Sequence, residues 1–419
     1  MTRRRIRQLV GFFILSLAVA VGANVALQGL DNHVKNSNGP NGYRGLISHN
    51  FNTADTADEI IGDFGSIGVW AYHGGTWTQL TTLNPDWIIG VKFAAADYEM
   101  IGDFGSAGLW MWNYSGWPGV WVQLTASNAE NAIAVDDDGD GNDELQVDFG
   151  SLGLWRYDYD TGVWTRYTAL NPAGTGLRVD LWTVGWEEGL WKFSGSGVWN
   201  VYWGGTAPIW AQLTVSAATE DWASGNFVDP GGTSAEPADE VAIEFGSDTW
   251  VYDDDGATWT RITFNSTSAM MAAKFGNNDD TELVFADTVY DPWFWGPTWT
   301  RLSETSMDDG FATAFDDDGE VETTFVEDEV AADFGTLGLW RYNYTVAGTV
   351  AAGWTQLTVS DPVFMIRSDY WGQGEDTSLV VSFGAGVGVW LFDTYGGTVA
   401  GHWHHLTNSA PDHTMSWLN

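Results

Sequence analysis

Short segments of alternating apolar and polar residues recur along the chain at a regular interval. The clearest unit runs from Asp58 to Trp70 and is followed by Trp-Thr-Gln-Leu-Thr at 77–81. Good copies begin at Tyr98, Asp143 and Asp328. Period-2 alternation over four to eight residues is typical of half-buried β-strands, and no part of 43–419 sustains a helical period. The pattern therefore predicts an all-β chain.

Aromatic residues mark the centre of each repeat and give the number of repeats. They stand at Trp70, Trp110, Trp155, Trp191, Trp250, Tyr290, Trp340 and Trp390. Their mean spacing of about 46 residues is that of one four-stranded propeller blade. The sequence predicts a single β-propeller over 43–419 with eight blades. A seven-bladed ring with the Trp191 unit displaced is the alternative.

Two segments compete to close the predicted ring. Residues 406–413 parallel residues 80–87, so Thr414–Leu418 has the pattern of the first strand of a ninth repeat, which could complete the first blade. Residues 43–51 could occupy the same position. Either choice removes an open sheet edge, which would otherwise be prone to aggregation.

The N-terminus carries an export signal pattern. Four arginines, at positions 3, 4, 5 and 7, precede an uncharged, mostly apolar run from Leu9 to about Leu30. A basic segment followed by an apolar one is typical of a signal peptide, but this run is also long enough to span a membrane. We therefore expect residues 1–30 to be a signal peptide or a membrane anchor, residues 31–42 to be a linker, and the protein to be secreted or held at the cell surface.

Composition removes several classes of function. The chain has 56 acidic and 16 basic side chains, a formal net charge of -40 and no cysteine. Nucleic-acid binding depends on Lys and Arg that neutralise phosphates, so no nucleic-acid partner is expected. The absence of cysteine excludes disulfides, thiol catalysis and cysteine-ligated metals.

One acidic loop has the spacing of a calcium site. Residues 136–144 read Asp-Asp-Asp-Gly-Asp-Gly-Asn-Asp-Glu, and alternate residues offer oxygen ligands: Asp136, Asp138, Asp140, Asn142 and Glu144. Hard cations that take six to eight oxygens suit this alternation, and the glycine at position 6 allows a sharp bend. The sequence predicts Ca²⁺ here, with a solvated acidic turn as the alternative. A second loop, with Asp316, Asp318 and Glu320, begins similarly but runs into an insertion, so it is a weaker candidate.

This loop, followed by Phe-Gly and a Gly-Leu-Trp strand, resembles the FG-GAP/VCBS-type repeats of integrin α-subunit heads and secreted bacterial propellers. The resemblance extends over about residues 43–419, but only the repeat at 132–168 carries the full calcium loop. It implies a β-propeller whose loops bind calcium on one face. It also implies that Asp136, Asp138, Asp140, Asn142 and Glu144 are the ligands.

The repeated side chains have structural and binding interpretations. The aspartates of the Asp-Phe-Gly triplets either satisfy backbone donors at a turn or form an acidic ring on the ligand face; they are Asp63, Asp103, Asp148 and Asp333. We expect the repeated tryptophans to pack between blades. Tryptophans outside the repeat pattern are the candidates for an exposed binding surface: Trp112, Trp117, Trp186, Trp203, Trp222, Trp293, Trp295 and Trp371.

No catalytic arrangement is recognisable. The chain has no Gly-x-Ser-x-Gly elbow and no dinucleotide-binding glycine pattern, although His402, His404, His405 and His413 have a spacing that could ligate a metal. The leading hypothesis is a non-enzymatic, calcium-binding extracellular propeller that binds a carbohydrate or a cell-surface protein. A structural surface or assembly protein, and a secreted hydrolase or oxidoreductase, are the alternatives.

Overall fold

The computed structural model describes residues 45–412 of the unit formed by residues 36–419, with internal gaps. The gaps are 53–55, 95–96, 115–117, 182–185, 219–221, 226, 228–239, 254–256, 264–266, 274–281, 288–291, 296–299, 306, 308, 314–328, 344–352, 372–377 and 394–400. The expected signal or anchor at 1–30 and the linker at 31–42 lie outside the described residues. Among the described residues, no helix is both long enough and apolar enough to cross a membrane.

In the part of the chain that the structure describes, thirty-two strands form eight sheets of four strands each. In blades 1 to 4 the strands are β1 (Leu46–His49), β2 (Glu59–Asp63), β3 (Val69–His73), β4 (Thr76–Thr81); β5 (Trp87–Ala94), β6 (Asp97–Asp103), β7 (Leu109–Asn113), β8 (Val120–Thr125); β9 (Asn131–Val135), β10 (Glu144–Asp148), β11 (Leu154–Asp158), β12 (Val163–Arg166); β13 (Leu177–Val179), β14 (Glu188–Phe193), β15 (Gly197–Trp203) and β16 (Pro208–Thr214).

In blades 5 to 8 the strands are β17 (Trp222–Gly225), β18 (Glu240–Phe245), β19 (Asp248–Asp253), β20 (Thr258–Thr263); β21 (Thr267–Ala273), β22 (Glu282–Asp287), β23 (Pro292–Trp295), β24 (Thr300–Arg301); β25 (Asp309–Thr313), β26 (Glu329–Asp333), β27 (Leu339–Asn343), β28 (Gly353–Thr358); β29 (Phe364–Ser368), β30 (Ser378–Ser382), β31 (Val389–Asp393) and β32 (His402–Thr407). Four three-residue 3-10 turns are the described helical elements, at Gly65–Ile67, Gly105–Ala107, Gly150–Leu152 and Gly335–Leu337.

Each blade is an antiparallel meander of four consecutive strands. First strands of neighbouring blades contact one another, as β1 contacts both β5 and β29, so they line the centre of the ring. The predicted all-β propeller with eight blades is confirmed, and the seven-bladed alternative is wrong. Because strands alternate in direction, the first-to-second and third-to-fourth connections share one face of the ring, called here the loop face. The other connections lie on the opposite face, called the turn face.

Glycine makes the turn between the second and third strands possible. In blade 1, Gly65 and Gly68 have φ values of 61° and 82°. A Cβ on Gly68 would lie 2.1 Å from the carbonyl oxygen of Thr81. Both the backbone conformation and the close approach therefore require glycine here, and the same turn recurs in blades 2, 3 and 7.

The core lies between blades. One cluster joins Val91 and Phe93 of blade 2 to Leu145 and Val147 of blade 3. Tryptophans on fourth strands also donate their indole N–H to a backbone carbonyl at the fourth strand of the preceding blade. The pairs are Trp77 to Leu406, Trp121 to Leu80, Trp164 to Leu124, Trp259 to Leu213, Trp354 to Leu302 and Trp403 to Leu357. The packing role expected of the repeated tryptophans is confirmed for these.

Two of the predicted aromatic centres need correction. Trp191 lies on the second strand of blade 4 and pairs with Trp199, which occupies the third-strand position. In blade 6 that position belongs to Trp293, because Trp293 pairs with Phe285 as Trp250 pairs with Ile243; Tyr290 lies outside the described residues. In each of these blades two aromatic residues lie close enough in sequence to compete for one repeat position, Trp191 with Trp199 and Tyr290 with Trp293, and spacing alone chose the wrong one.

The N-terminal segment supplies the first strand of blade 1. β1 pairs with β2, and Ser48 Oγ donates to Ser368 Oγ of blade 8 at 2.7 Å. The C-terminal tail also reaches blade 1, since the Asp412 N–H donates to the Asp63 carbonyl as Asp86 N–H does to Asp103 in the next blade. The alternative strand at 414–418 lies outside the described residues.

Candidate functional site

The loop at 136–144 connects β9 and β10 on the loop face. The Asp136 carboxylate folds it by accepting the backbone N–H groups of Gly139, Asp140 and Gly141 at 2.9, 3.1 and 2.9 Å. Gly139 and Gly141 have positive φ values, 75° and 91°, which side chains with a Cβ adopt poorly. The loop is therefore bent around the side chain of its first residue.

Three of the five predicted ligands come together. One oxygen each of Asp136, Asp138 and Glu144 lie within 4.8 Å of one another. Calcium ligands at 2.3–2.6 Å from the ion stand at most about 5 Å apart, so this spacing and these hard oxygen donors fit the ion. Oδ1 of Asp138 is buried and has no hydrogen-bond partner among the described residues.

Of the other two predicted ligands, Asp140 lies outside this group of acids. Asp140 is exposed, and one of its carboxylate oxygens accepts the backbone N–H of Asn142. The side-chain amide nitrogen of Asn142 donates to Asp160 at 3.4 Å. Among the described residues no second cluster of this kind occurs, and His402, His404 and His405 do not form one.

A buried arginine, not anticipated from the sequence, lies against the same loop. Arg156 on β11 is 2% exposed, and its guanidinium contacts Asp137 and Asp138, each at 2.7 Å. It also contacts Asp158 at 2.9 Å and Glu144 at 3.2 Å. The loop therefore already holds one internal cation.

Asp137 connects this arginine to the next blade. Its carboxylate is fully buried, accepts the Tyr167 hydroxyl at 2.5 Å and accepts the Gln146 side-chain amide at 3.0 Å. Gln146 in turn accepts the indole N–H of Trp191 in blade 4 at 2.7 Å. A charge-assisted hydrogen-bond network thus extends from Arg156 across the boundary between blades 3 and 4.

Burial and charge shift the acid–base equilibria of this network. Burial, reinforced by the charge of Asp137, raises the pKa of Glu144 to about 10. Burial also raises the pKa of Asp136 and of Asp138. Burial alone would lower the pKa of Arg156, but the charges of Asp137 and Glu144 raise it above its ordinary value. The guanidinium therefore stays charged.

The sequence does contain a signal for this arginine. Trp-Arg occurs on the third strand of blades 3 and 7 alone, as Arg156 and Arg341, and both side chains are buried. Asp-Asp-Asp-Gly stands between first and second strands in these same two blades, at 136–139 and 316–319. The second of these loops, with Asp316, Asp318 and Glu320, lies outside the described residues. The pairing of the two features indicates that part of the acidic loop serves as a counterion for the arginine.

Glu144 occupies a position that is repeated around the ring. Seven blades carry glutamate three residues before the partner of the third-strand tryptophan: Glu59, Glu99, Glu144, Glu188, Glu240, Glu282 and Glu329. Glu59 accepts the N–H groups of Phe51 and Asn52, and Glu188 accepts that of Leu181. Glu144 does the same for Asp137 at 3.2 Å. Glutamate here ties down the loop with or without a calcium-type sequence.

The residue before this glutamate joins neighbouring blades. This acidic residue donates its backbone N–H to a residue of the preceding blade, and its carboxylate accepts the backbone N–H of that same residue. The pairs are Asp58 with Asp369, Asp143 with Lys92, and Glu187 with Asp136, and each partner lies near the end of the preceding blade's first strand. Acidic pairs at the start of second strands are therefore structural, and they account for part of the negative charge.

The Asp-Phe-Gly aspartates lie on the turn face and are buried. Each of the four accepts the backbone N–H of the glycine that stands two residues later in the sequence. The distance is 3.0 Å at Asp63 and 2.8 Å at Asp148, and Asp103 and Asp333 make the same hydrogen bond. With its amide nitrogen facing the acid, Asn171 also donates to Asp148, at 3.1 Å. Burial raises the pKa of Asp63, Asp103 and Asp148 to about 7. These contacts are those expected of turn residues, and they face away from the acidic loop.

The candidate surface tryptophans differ in exposure. Trp112 was expected to be exposed but is fully buried, because its strand position faces the neighbouring blade and it packs against Phe51. Trp222 is also buried, and Trp117 lies outside the described residues. Trp371 is 38% exposed and lies on the loop face. It contacts Tyr370 and His404, with ring centroids 5.1 and 6.2 Å away.

Trp186 and Trp203 are half-buried beside the acidic loop. Trp186 covers Gly139, where an added Cβ would overlap the indole. Trp203 stacks on Tyr167 with centroids 6.0 Å apart, and the Arg156 guanidinium lies 5.1 Å from its ring centroid. These two tryptophans therefore belong to the boundary between blades 3 and 4.

Neither a protein-family model nor a curated protein matches the chain. Solved structures do match it. A chain from the crystal structure of BBS1N in complex with ARL6DN, soaked with mercury, is 10% identical, with 70% of this chain and 89% of that chain covered and a TM-score of 0.44. The extracellular domain of the putative one component system BT4673 from B. thetaiotaomicron is 11% identical, with 89% of this chain and 47% of that chain covered and a TM-score of 0.42.

Proposed function

We propose that this protein is a non-enzymatic, calcium-binding propeller of the FG-GAP/VCBS type that binds a carbohydrate or a cell-surface protein outside the cytoplasm. The observation that carries the calcium part is the convergence of Asp136, Asp138 and Glu144 oxygens within 4.8 Å. The basic and apolar N-terminal segments support an extracellular location. The eight similar blades support a rigid binding scaffold over a catalytic one.

The Arg156 guanidinium contacts one oxygen of Asp138 and leaves the other available to a calcium ion. The guanidinium contacts Oδ2, whereas Oδ1 is the atom without a described hydrogen-bond partner. The acids around Arg156 also outnumber its single charge, since Asp137, Asp138 and Asp158 all contact it. A second cation would reduce the repulsion that remains among these carboxylates.

Calcium titration of the protein and two variants tests this part. We expect the wild type to take up one Ca²⁺, with a dissociation constant of about 10⁻⁴–10⁻³ M as in other extracellular modules. Asp138→Asn should abolish uptake, because it removes the charge on a ligand. Asp158→Asn is the matched control, since it also removes a contact with Arg156 but lies outside the three-oxygen group. Calorimetry measures uptake directly.

The outcomes of this titration separate three interpretations. Uptake by the wild type and by Asp158→Asn, but not by Asp138→Asn, supports the calcium site. Equal loss in both variants would assign the effect to Arg156 and its network. No uptake by the wild type would show that the loop is an acidic turn built around an arginine, and the calcium part would be abandoned.

The recognition part is tested separately. A glycan array probed with the purified protein, in millimolar Ca²⁺ and in excess chelator, should show carbohydrate binding that a purely structural protein lacks. Anionic glycans should be disfavoured, because the net charge of -40 repels them at low ionic strength. Salt-resistant binding to heparin or DNA would contradict the proposal.

A further inference from the structure

Blade 8 departs from the repeat at the position where the other seven blades carry glutamate. Ser378 stands there, buried, and no described residue hydrogen-bonds its hydroxyl. Serine is shorter than glutamate, so the carboxylate that fills the base of the loop in other blades is missing. The repeat is therefore modified on the loop face of blade 8.

Polar side chains line up across this blade at the same level. The register places Ser368 opposite Ser378, and Ser378 opposite Asp393. Residues directly opposite on antiparallel strands point to the same side of the sheet. Asp393 is buried, and its Oδ2 pairs with His404 Nε2 at 2.7 Å. The His404 side chain is 48% exposed, so this pair lies at the surface of the blade.

Aromatic rings border this polar row. Trp371 follows the first strand of blade 8, and its ring meets His404 at an interplanar angle of 67°. Tyr370 packs edge-on against Trp371 and stacks on Tyr72 of blade 1, with centroids 5.7 Å apart. Trp371 therefore has ring contacts with Tyr370 and His404, and part of its surface faces solvent.

We propose that this part of blade 8 is a binding site for a neutral saccharide, an inference that rests on the proposed carbohydrate-binding function. The Trp371 ring provides the flat apolar surface on which the C–H face of a pyranose packs. The exposed His404 imidazole, paired with Asp393, provides a polar group beside this ring for the sugar hydroxyls. Small-ligand sites combine aromatic surface with a few fixed polar groups in this way.

Charge and size select this ligand over others. The strongly acidic chain disfavours anionic sugars and nucleotides. Of the large apolar side chains that are exposed in the described residues, Trp371 is the one that lies in a connection between a first and a second strand. A stable protein interface needs about 800 Å² on each partner. One exposed tryptophan beside one histidine suits one or two sugar rings better.

Four variants of the full chain test the site. Trp371→Ala removes the stacking surface, whereas Trp371→Phe keeps an aromatic ring. His404→Ala removes the polar edge. His405→Ala is the matched control, because His405 lies next along β32, points to the opposite side and packs against Trp390 instead. Circular dichroism and thermal melting of each variant establish that it is folded.

The probe is a set of immobilised neutral oligosaccharides, with sialylated and sulfated ones beside them, followed by calorimetry with the best neutral binder. We expect Trp371→Ala to weaken binding by roughly tenfold or more, as for a central aromatic contact. His404→Ala should weaken it too, Trp371→Phe less than Trp371→Ala, and His405→Ala not at all. If Trp371→Ala does not fold, Trp371→Phe and His404→Ala decide the result.

The possible results distinguish this inference from the function on which it rests. If the wild type binds neutral glycans and the Trp371 and His404 variants bind equally well, the site lies elsewhere and carbohydrate binding stands. If the wild type binds no neutral glycan, or only acidic ones, the saccharide site is refuted. Calcium uptake, measured separately, then still decides the calcium part.

Discussion

Replacing Arg156 by methionine tests whether the acidic loop is built around this cation. Methionine keeps an unbranched apolar stem of similar reach, so the substitution mainly removes the charge and its hydrogen bonds. It leaves Asp137, which is fully buried, without the guanidinium 2.7 Å away. Asp138 and Asp158 lose their contacts as well.

Removing one partner of a buried ion pair costs about 3–5 kcal/mol, because an uncompensated charge stays buried. Unfolding entropy is about 2.1 cal/mol/K per residue, or ~0.8 kcal/mol/K for a ring of roughly 370 residues. The expected fall in Tm is therefore about 4–6 °C.

Arg166→Met is the control. Arg166 lies on the adjacent strand, is exposed and stacks on Trp155, so the same change of charge should cost under about 1 kcal/mol. Adding Asp137→Asn to Arg156→Met should recover at least about 1 kcal/mol, since the buried charge is then gone. Calorimetric unfolding of all variants measures these differences. Equal Tm values for Arg156→Met and Arg166→Met would refute the argument.

Two further predictions concern the turns. Gly68→Ala should lower Tm more than Gly75→Ala, because both glycines have φ near 80° but a Cβ meets the Thr81 carbonyl only at Gly68; equal losses in thermal melts would contradict a steric cause. Thermal stability should also fall as pH rises from about 4 to about 7. The folded-state pKa of Asp148, about 7, lies above its ordinary 3.8, so the folded protein binds this proton more tightly than the unfolded chain. Asp148→Asn should narrow the difference in Tm between pH 5 and pH 8, and an unchanged difference would contradict this assignment.

The propeller was predictable because one repeat carries enough local information. The Trp position on the third strand and the Gly-x-x-Gly turn before it define a blade wherever both are present, as in blades 1, 2, 3 and 7. Errors arose where two nearby aromatic residues competed for one repeat position, as Trp191 with Trp199 and Tyr290 with Trp293. The exposure of Trp112 was mispredicted for a related reason. Whether a tryptophan is buried depends on which side of its strand faces the next blade, and the repeat pattern does not give that side.

The candidate site was only partly predictable. Oxygen spacing along the loop identified Asp136, Asp138 and Glu144, which do come together. It could not reveal Arg156, which approaches from another strand and contacts two of these carboxylates. A motif read along the chain describes the ligands of a loop but not the side chains that the rest of the blade brings to it.

The internal arginine also limits how much calcium can contribute to stability. A loop whose carboxylates had no other counterion would depend strongly on the ion. Here Arg156 already holds Asp137 and Asp138 in place, so an ion adds a second cross-link to a loop that is closed without it. At about ten times the dissociation constant, one site adds about 1.4 kcal/mol, or ~2 °C in Tm for this ring. Chelator should therefore shift Tm slightly and leave the propeller folded, and unfolding of the ring by chelator at moderate temperature would show that the arginine does not hold the loop.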